Sequence, residues 1–134
     1  MTVADAALAS VQAGLAPVPV YDGHVPDSPP ERYAVLYPDA GTVAAQALDG
    51  VSDLGTFRFR LTYVTRGGQA GRRGVEFLAR KARAALVDQT LDVPDWALGP
   101  VLHESTEPVR RDEDEPSALV LFASDGFVTY GARA

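Results

Sequence analysis

The chain has 134 residues, 46% hydrophobic and 22% charged, the profile of one globular domain long enough to bury a core without covalent staples. It has no cysteine and a formal net charge of −6, which excludes disulfides and thiolate metal sites and argues against tight nucleic-acid binding over the whole surface, while a local basic patch stays open. No apolar run approaches the roughly 20 residues that span a bilayer, and the N-terminus lacks the basic start and unbroken apolar stretch of a signal peptide.

Thr2 to Leu15 reads as a first helix. Thr2 is placed to cap it with Asp5 three residues on, and Ala4, Leu8, Val11 and Leu15 fall on one face. Gly14 and Pro17 are expected to end it. Val18 to Tyr21 is a short strand, and Asp22-Gly23 opens a turn. The following loop carries Pro26, Pro29 and Pro30. Proline fixes φ and pushes its predecessor into extended conformations, so this loop holds a shape suited to a contact. Arg32 to Tyr37 alternates with both faces largely apolar, the mark of a central strand, and Pro38-Asp39 stops it.

Ala40 to Thr56 is polar and rich in small residues, with Gly41, Gly50 and Gly55. It reads as a long functional or mobile loop, with at most one helical turn over Val43 to Leu48. Phe57 to Thr65 is the cleanest strand: Phe57, Phe59, Leu61 and Tyr63 point one way, Arg58, Arg60 and Thr62 the other. After a turn at Arg66-Gly67-Gly68, a second helix is predicted from about Gly71 to Gln89, with Val75, Leu78, Ala79, Ala82 and Leu86 as its apolar stripe. Arg72, Arg73, Arg80, Lys81 and Arg83 take the rest of its surface, and Glu76 precedes Arg80 by four residues, a favourable pairing order. Lys81 is the only lysine, a bias toward arginine that suggests a GC-rich genome.

Asp92 to Glu107 is weakly patterned, and Trp96 between Pro94 and Pro100 suggests irregular extended chain. Arg110 to Glu115 is a charged run closed by Pro116. Ser117–Ala123 and Phe127–Gly131 read as a hairpin with Asp125-Gly126 as a type I′ turn. The order α-β-β-β-α-β-β, with a possible extra strand near Val101, predicts one α+β domain: a mainly antiparallel sheet of four to six strands with two helices on one face. Phe57, Phe59, Leu61, Tyr33, Val35, Leu78, Leu86 and Leu121 are its expected core.

No convergent catalytic set is visible. His103, Glu104 and Ser105 are adjacent, poor geometry for a nucleophile and base on a strand. Asp22, His24 and Asp27 have metal-ligand chemistry, but no second cluster supports them and turn formation explains them better. Gly71-Arg72-Arg73-Gly74 opens a helix and so suits an anion, yet lacks the Gly-Lys-Ser/Thr of a nucleotide loop. Trp96 suits a core or lid position or an interface anchor. Arg58 and Arg60 suit a subunit contact, a solvated sheet face or nucleic acid, and Arg110 to Glu115 suits a solvated loop or an interface. No catalytic, cofactor or metal residue is assigned.

The N-terminal helix followed by Val18-Pro19-Val20-Tyr21-Asp22-Gly23, then Val25-Pro26-Asp27 and the strand Arg32 to Tyr37, resembles the tail terminator (tail completion) proteins of long-tailed phages. The Phe57–Thr65 strand and the basic helix after Gly71 stand in the order of that family. The segment from Gly99-Pro100-Val101 through Arg111-Asp112-Glu113-Asp114 resembles members from phages of actinobacteria. The resemblance implies a virion protein without enzymatic activity or cofactor. It implies a homo-oligomer, a hexameric ring, that caps the tail tube, ends its growth and meets the head connector. DNA passes through the lumen without specific binding, no membrane is involved, and the ring sits at the head-proximal end after assembly in the host cytoplasm. Another head–tail connector or stopper protein is the nearest alternative; a small ligand-binding or enzymatic α+β domain is a more distant one. Ring closure needs two different complementary patches per subunit. Arg58, Arg60, Arg72, Arg73, Arg80, Arg110 and Arg111 are the expected cationic set and Asp112, Glu113 and Asp114 the anionic set. His24, Pro26, Asp27, Pro29 and Pro30 are expected in an axial contact loop.

Overall fold

A computed structural model describes residues 1–39, 42–45, 53–67, 71–115 and 119–134. Helix α1 is Val3–Leu15. Thr2 Oγ1 accepts the Asp5 N–H at 3.1 Å and Asp5 Oδ2 accepts the Thr2 N–H at 2.9 Å, the reciprocal capping box that the sequence suggests. The buried face of α1 is Val3, Ala6, Ala7, Val11 and Leu15. It is rotated from the expected stripe, so that Leu8 sits only partly buried on its flank. Gly14 does not stop the helix; it lies inside it, where an added Cβ would stand 2.6 Å from Ala85 Cβ. Its role is close approach of the two helices.

The strands are β1 (Val20–Asp22), β2 (Arg32–Pro38), β3 (Thr42–Ala45), β4 (Asp53–Arg66), β5 (Trp96–Leu98), β6 (Leu102–Arg111) and β7 (Val120–Arg133). They form one seven-stranded sheet with the path β1-β2-β4-β7-β5, β3 pairing β4 and β6 pairing β7. Only β1–β2 is parallel. Helix α2 (Gly71–Leu86) buries Val75, Leu78, Ala79, Ala82 and Leu86, the stripe read from the sequence. It packs with α1 on one face of the sheet, against Phe59, Leu61, Tyr63 and Phe127. The result is the expected α+β fold, with seven strands where four to six are predicted.

The opposite face holds a smaller cluster of Tyr33, Val35, Val64 and Val120, with Tyr21, Val25 and Phe122 partly buried against it. Strand β2 is therefore central, with apolar side chains on both faces. Val25 anchors the proline loop to this outer face, while His24, Pro26, Asp27 and Pro30 remain exposed and Pro29 is half-buried.

Five further expectations are overturned. Strand β1 begins two residues later than predicted, and α2 ends at Leu86 rather than Gln89. The long loop from Ala40 to Thr56 contains β3 and the start of β4, so Val43 to Ala45 is strand and not a helical turn; positions 40, 41 and 46–52 lie outside the described residues. The stretch Asp92 to Glu107 supplies β5 and more than half of β6, and β6 runs on through Arg110 and Arg111. Finally, Asp125-Gly126 is not a turn. Strand β7 passes straight through it, in unbroken antiparallel register with β4 from Leu54↔Ala132 to Arg66↔Val120. Positive φ is not what selects glycine at 126; Ser105 Oγ occupies the space a Gly126 Cβ would fill.

Candidate functional site: a buried carboxylate node and two charged faces

The β4–β7 register decides which side chains meet. Residues opposite one another share a face. Leu61 faces Asp125 across this ladder and Thr106 faces it from β6, so Asp125 points into the helix side of the sheet. It is 1% exposed. Its carboxylate accepts from Tyr63 Oη at 2.9 Å, Arg83 Nε at 2.9 Å, Arg83 Nη2 at 2.8 Å and Thr106 Oγ1 at 2.9 Å, with His103 Nε2 at 3.0 Å. One side chain thus ties α2, β4 and β6 to β7. Burial pushes the Asp125 carboxyl up, but the hydrogen bonds from Arg83, Tyr63 and Thr106 outweigh it and hold the group below the ordinary carboxylate range. The Tyr63 hydroxyl is driven well up, chiefly by burial and then by the adjacent carboxylate.

These shifts set a pH profile. The Asp125 contribution is complete above the unfolded carboxyl value, about 3.9, and is lost as pH falls through the lower folded value. The Tyr63 contribution is complete below about pH 10 and is lost as pH rises beyond it. Thermal melts across pH will show stability falling at both the acid and the alkaline end, and Tyr63→Phe will lessen the alkaline fall, leaving the part that comes from Tyr33, whose hydroxyl is also pushed up by burial.

The node does not form a nucleophile–base–acid relay. Thr106 Oγ1 and Asp125 Oδ1 both approach the same ring nitrogen of His103, Nε2. A relay needs the two partners on different nitrogens. The neighbours predicted to be poor triad partners diverge: His103 turns inward, while Glu104 turns outward to Arg58 at 3.0 Å.

The outer face is polar at its centre and apolar at both ends. Arg58 is paired with Glu104, and Arg60 lies over the Tyr37 ring at 5.7 Å. Arg110 pairs with Glu107 at 3.3 Å and covers the Phe122 ring at 4.8 Å. Thr62 and Ser124 hydroxyls are 2.9 Å apart. Leu54, Tyr130 and Leu102 are exposed by 45%, 48% and 43%, apolar side chains at the end of this face away from the Tyr33, Val64 and Val120 cluster. Trp96 takes a half-buried lid position, edge-on to Phe57 at 4.9 Å with Arg133 over its ring at 4.9 Å.

The helix face carries a cleft of about 600 Å³ between α2 and β6. Val75, Ala79, Val109 and Ala123 supply apolar lining, and Arg73, Arg80 and Arg83 stand on the helix side. The cleft opens where β6 bulges from β7: Glu107 pairs Ser124 and Arg110 pairs Phe122, leaving Pro108 and Val109 displaced. Glu76 pairs with Arg72 at 3.8 Å rather than with Arg80, which instead lies over Phe77. Arg83, read as part of the solvated basic face, is committed to Asp125. The anionic turn Asp112 to Glu115 lies on the other side of the sheet, where Asp112 and Glu115 border a shallow depression with Tyr33, Val64 and Phe122. The structure thus brings Arg73 and Arg80 to one cleft and disperses Arg58, Arg60 and Arg110 over the opposite face. Asp22, His24 and Asp27 join no metal-binding group; none of three or more such residues occurs among the described residues.

Exposed charged faces are thus set around a node whose polar groups bond to one another. The family model described as tail completion protein gp17 matches residues 2–122, and the chain belongs to that family. It is a structural protein of the phage tail. Among solved structures, it is similar to a chain of the virion of a native gene transfer agent particle. The two share 20% identity at a TM-score of 0.72, over 97% of this chain and 94% of the other. A second solved chain, also 20% identical, aligns at a TM-score of 0.51 over 98% of this chain and 88% of its own. Both likenesses concern the fold. No curated protein matches the sequence.

Proposed function

We propose that six copies of this chain close into a ring on the head-proximal end of a siphophage tail tube. The ring ends tube growth and offers the head connector its docking surface. Its partners are further copies of itself, the tube protein and the connector protein, and it assembles in the host cytoplasm. The observation that carries this reading is the family match over residues 2–122. A net charge of −6 suits a lumen through which DNA slides without being held, since phosphate binding scales with the cations presented.

Ring closure is heterologous and needs unlike patches on each subunit. In this reading the cationic set at Arg58, Arg60, Arg72, Arg73, Arg80, Arg110 and Arg111 serves subunit contacts against Asp112, Glu113 and Asp114. The exposed residues of the proline loop, His24, Pro26, Asp27 and Pro30, with Pro29, serve an axial contact. Light scattering on the purified chain, with negative-stain images of the same sample, tests the proposal: rings of about six subunits are expected, alone or after addition of tail tubes. A chain that stays monomeric and ignores tubes contradicts it.

A further inference from the structure

We infer that the cleft between α2 and β6 is the socket for the acidic turn Asp112 to Glu115 of a second copy of this chain. The inference rests on the ring reading and names its contact. Among the described residues, the cations on the outer face are largely used within the subunit: Arg58 by Glu104, and Arg110 by Glu107 and the Phe122 ring. On the helix face Arg72 is used by Glu76 and Arg83 by Asp125. Arg73 and Arg80, both bordering the cleft, form no ion pair among the described residues. Glu76 and Glu107 also border the cleft but are paired with Arg72 and Arg110, so Arg73 and Arg80 are the cleft's own cations open to an incoming anion.

The turn is shaped as the counterpart. The Asp112 carboxylate accepts the Asp114 N–H at 3.0 Å, and the Asp112 N–H donates to the Val120 carbonyl at 2.8 Å. The loop is thereby tied to the sheet, with Glu113 and Asp114 exposed. Leu119, 39% exposed just beyond it, offers an apolar side chain of the kind that the Val75, Ala79 and Val109 lining would accept. The turn and the cleft lie on opposite faces of the sheet, so they cannot meet within one subunit. Unlike patches that face away from each other within a subunit generate head-to-tail contacts, the geometry a ring needs.

The test is a charge swap, read as assembled mass by light scattering, alone or on tail tubes. Glu113→Arg with Asp114→Arg reverses the turn while sparing Asp112, which holds its shape. Arg73→Glu with Arg80→Glu reverses the cleft. All four side chains are exposed, and unchanged melting temperatures will confirm folding. Each reversal alone is expected to weaken assembly by about a hundredfold or more. A one-to-one mixture of the two variants is expected to restore it, because each then offers the other a complementary pair. Both reversals in one chain should restore self-assembly as well. Assembly unaffected by the cleft reversal overturns the inference and leaves the ring standing. A mixture that fails to recover also overturns it, and then points to an acidic segment of another tail protein in the cleft. A wild-type chain that never assembles, alone or on tubes, removes the ring reading itself.

Discussion

Replacing Asp125 by Ala is expected to lower stability by about 3–5 kcal/mol, the cost of removing one partner from a buried ion pair. The reason is visible in what is left behind. Tyr63 is fully buried and loses the only acceptor its hydroxyl has among the described residues, a desolvation cost of about 1–3 kcal/mol on its own. Arg83 loses a two-point contact, although its side chain is 39% exposed and recovers part of that loss from water. Thr106 and His103 lose the contact that fixes β6 to the node. Thermal and urea unfolding will measure the effect. The Arg58–Glu104 pair, at 3.0 Å, is the control: it is exposed on both sides, and Arg58→Ala should cost only a small part of the Asp125→Ala loss. Equal losses at the two sites would refute the node as an organising feature.

The second large effect is at Gly14. An added Cβ there meets Ala85 Cβ at 2.6 Å, and that neighbour is a rigid stub on α2 that cannot swing away. Gly14→Leu therefore forces the helices apart and should destabilise by about 3 kcal/mol, the upper end of ordinary overpacking. Gly14→Ala is the sharper comparison. Ala gains about 1 kcal/mol over Gly in helix propensity, so a stability gain would show that the contact relaxes freely, and a loss that close packing governs the position.

Much of the fold was legible where one physical period governs a segment. The α2 stripe and the alternation from Phe57 to Tyr63 each expose a single buried face, and both stand as read. The capping box was legible because it needs only two side chains three residues apart. The misreadings have particular causes. Asp125-Gly126 has the local chemistry of a turn, but Leu121, Ala123, Asp125 and Phe127 continue one inward alternation, and a carboxylate in that row was the signal for a node. Its partners lie 42 residues away at Arg83 and 62 at Tyr63, beyond the reach of any local pattern. Strand β6 was hidden because its residues are nearly all exposed, so no face of it reads as apolar. Of the expected interface residues, each sits on the surface; the sequence carried their charges but not the fact that intramolecular pairs already use Arg58, Arg72 and Arg110.

In the function proposed above, this tail protein ends tube growth. The most direct test is the length distribution of tubes polymerised from the cognate tube protein, imaged with and without the purified chain. Shorter tubes are expected, each bearing added density at one end only, with growth not resuming when fresh tube protein is supplied. Tubes of unchanged length with both ends bare would contradict it.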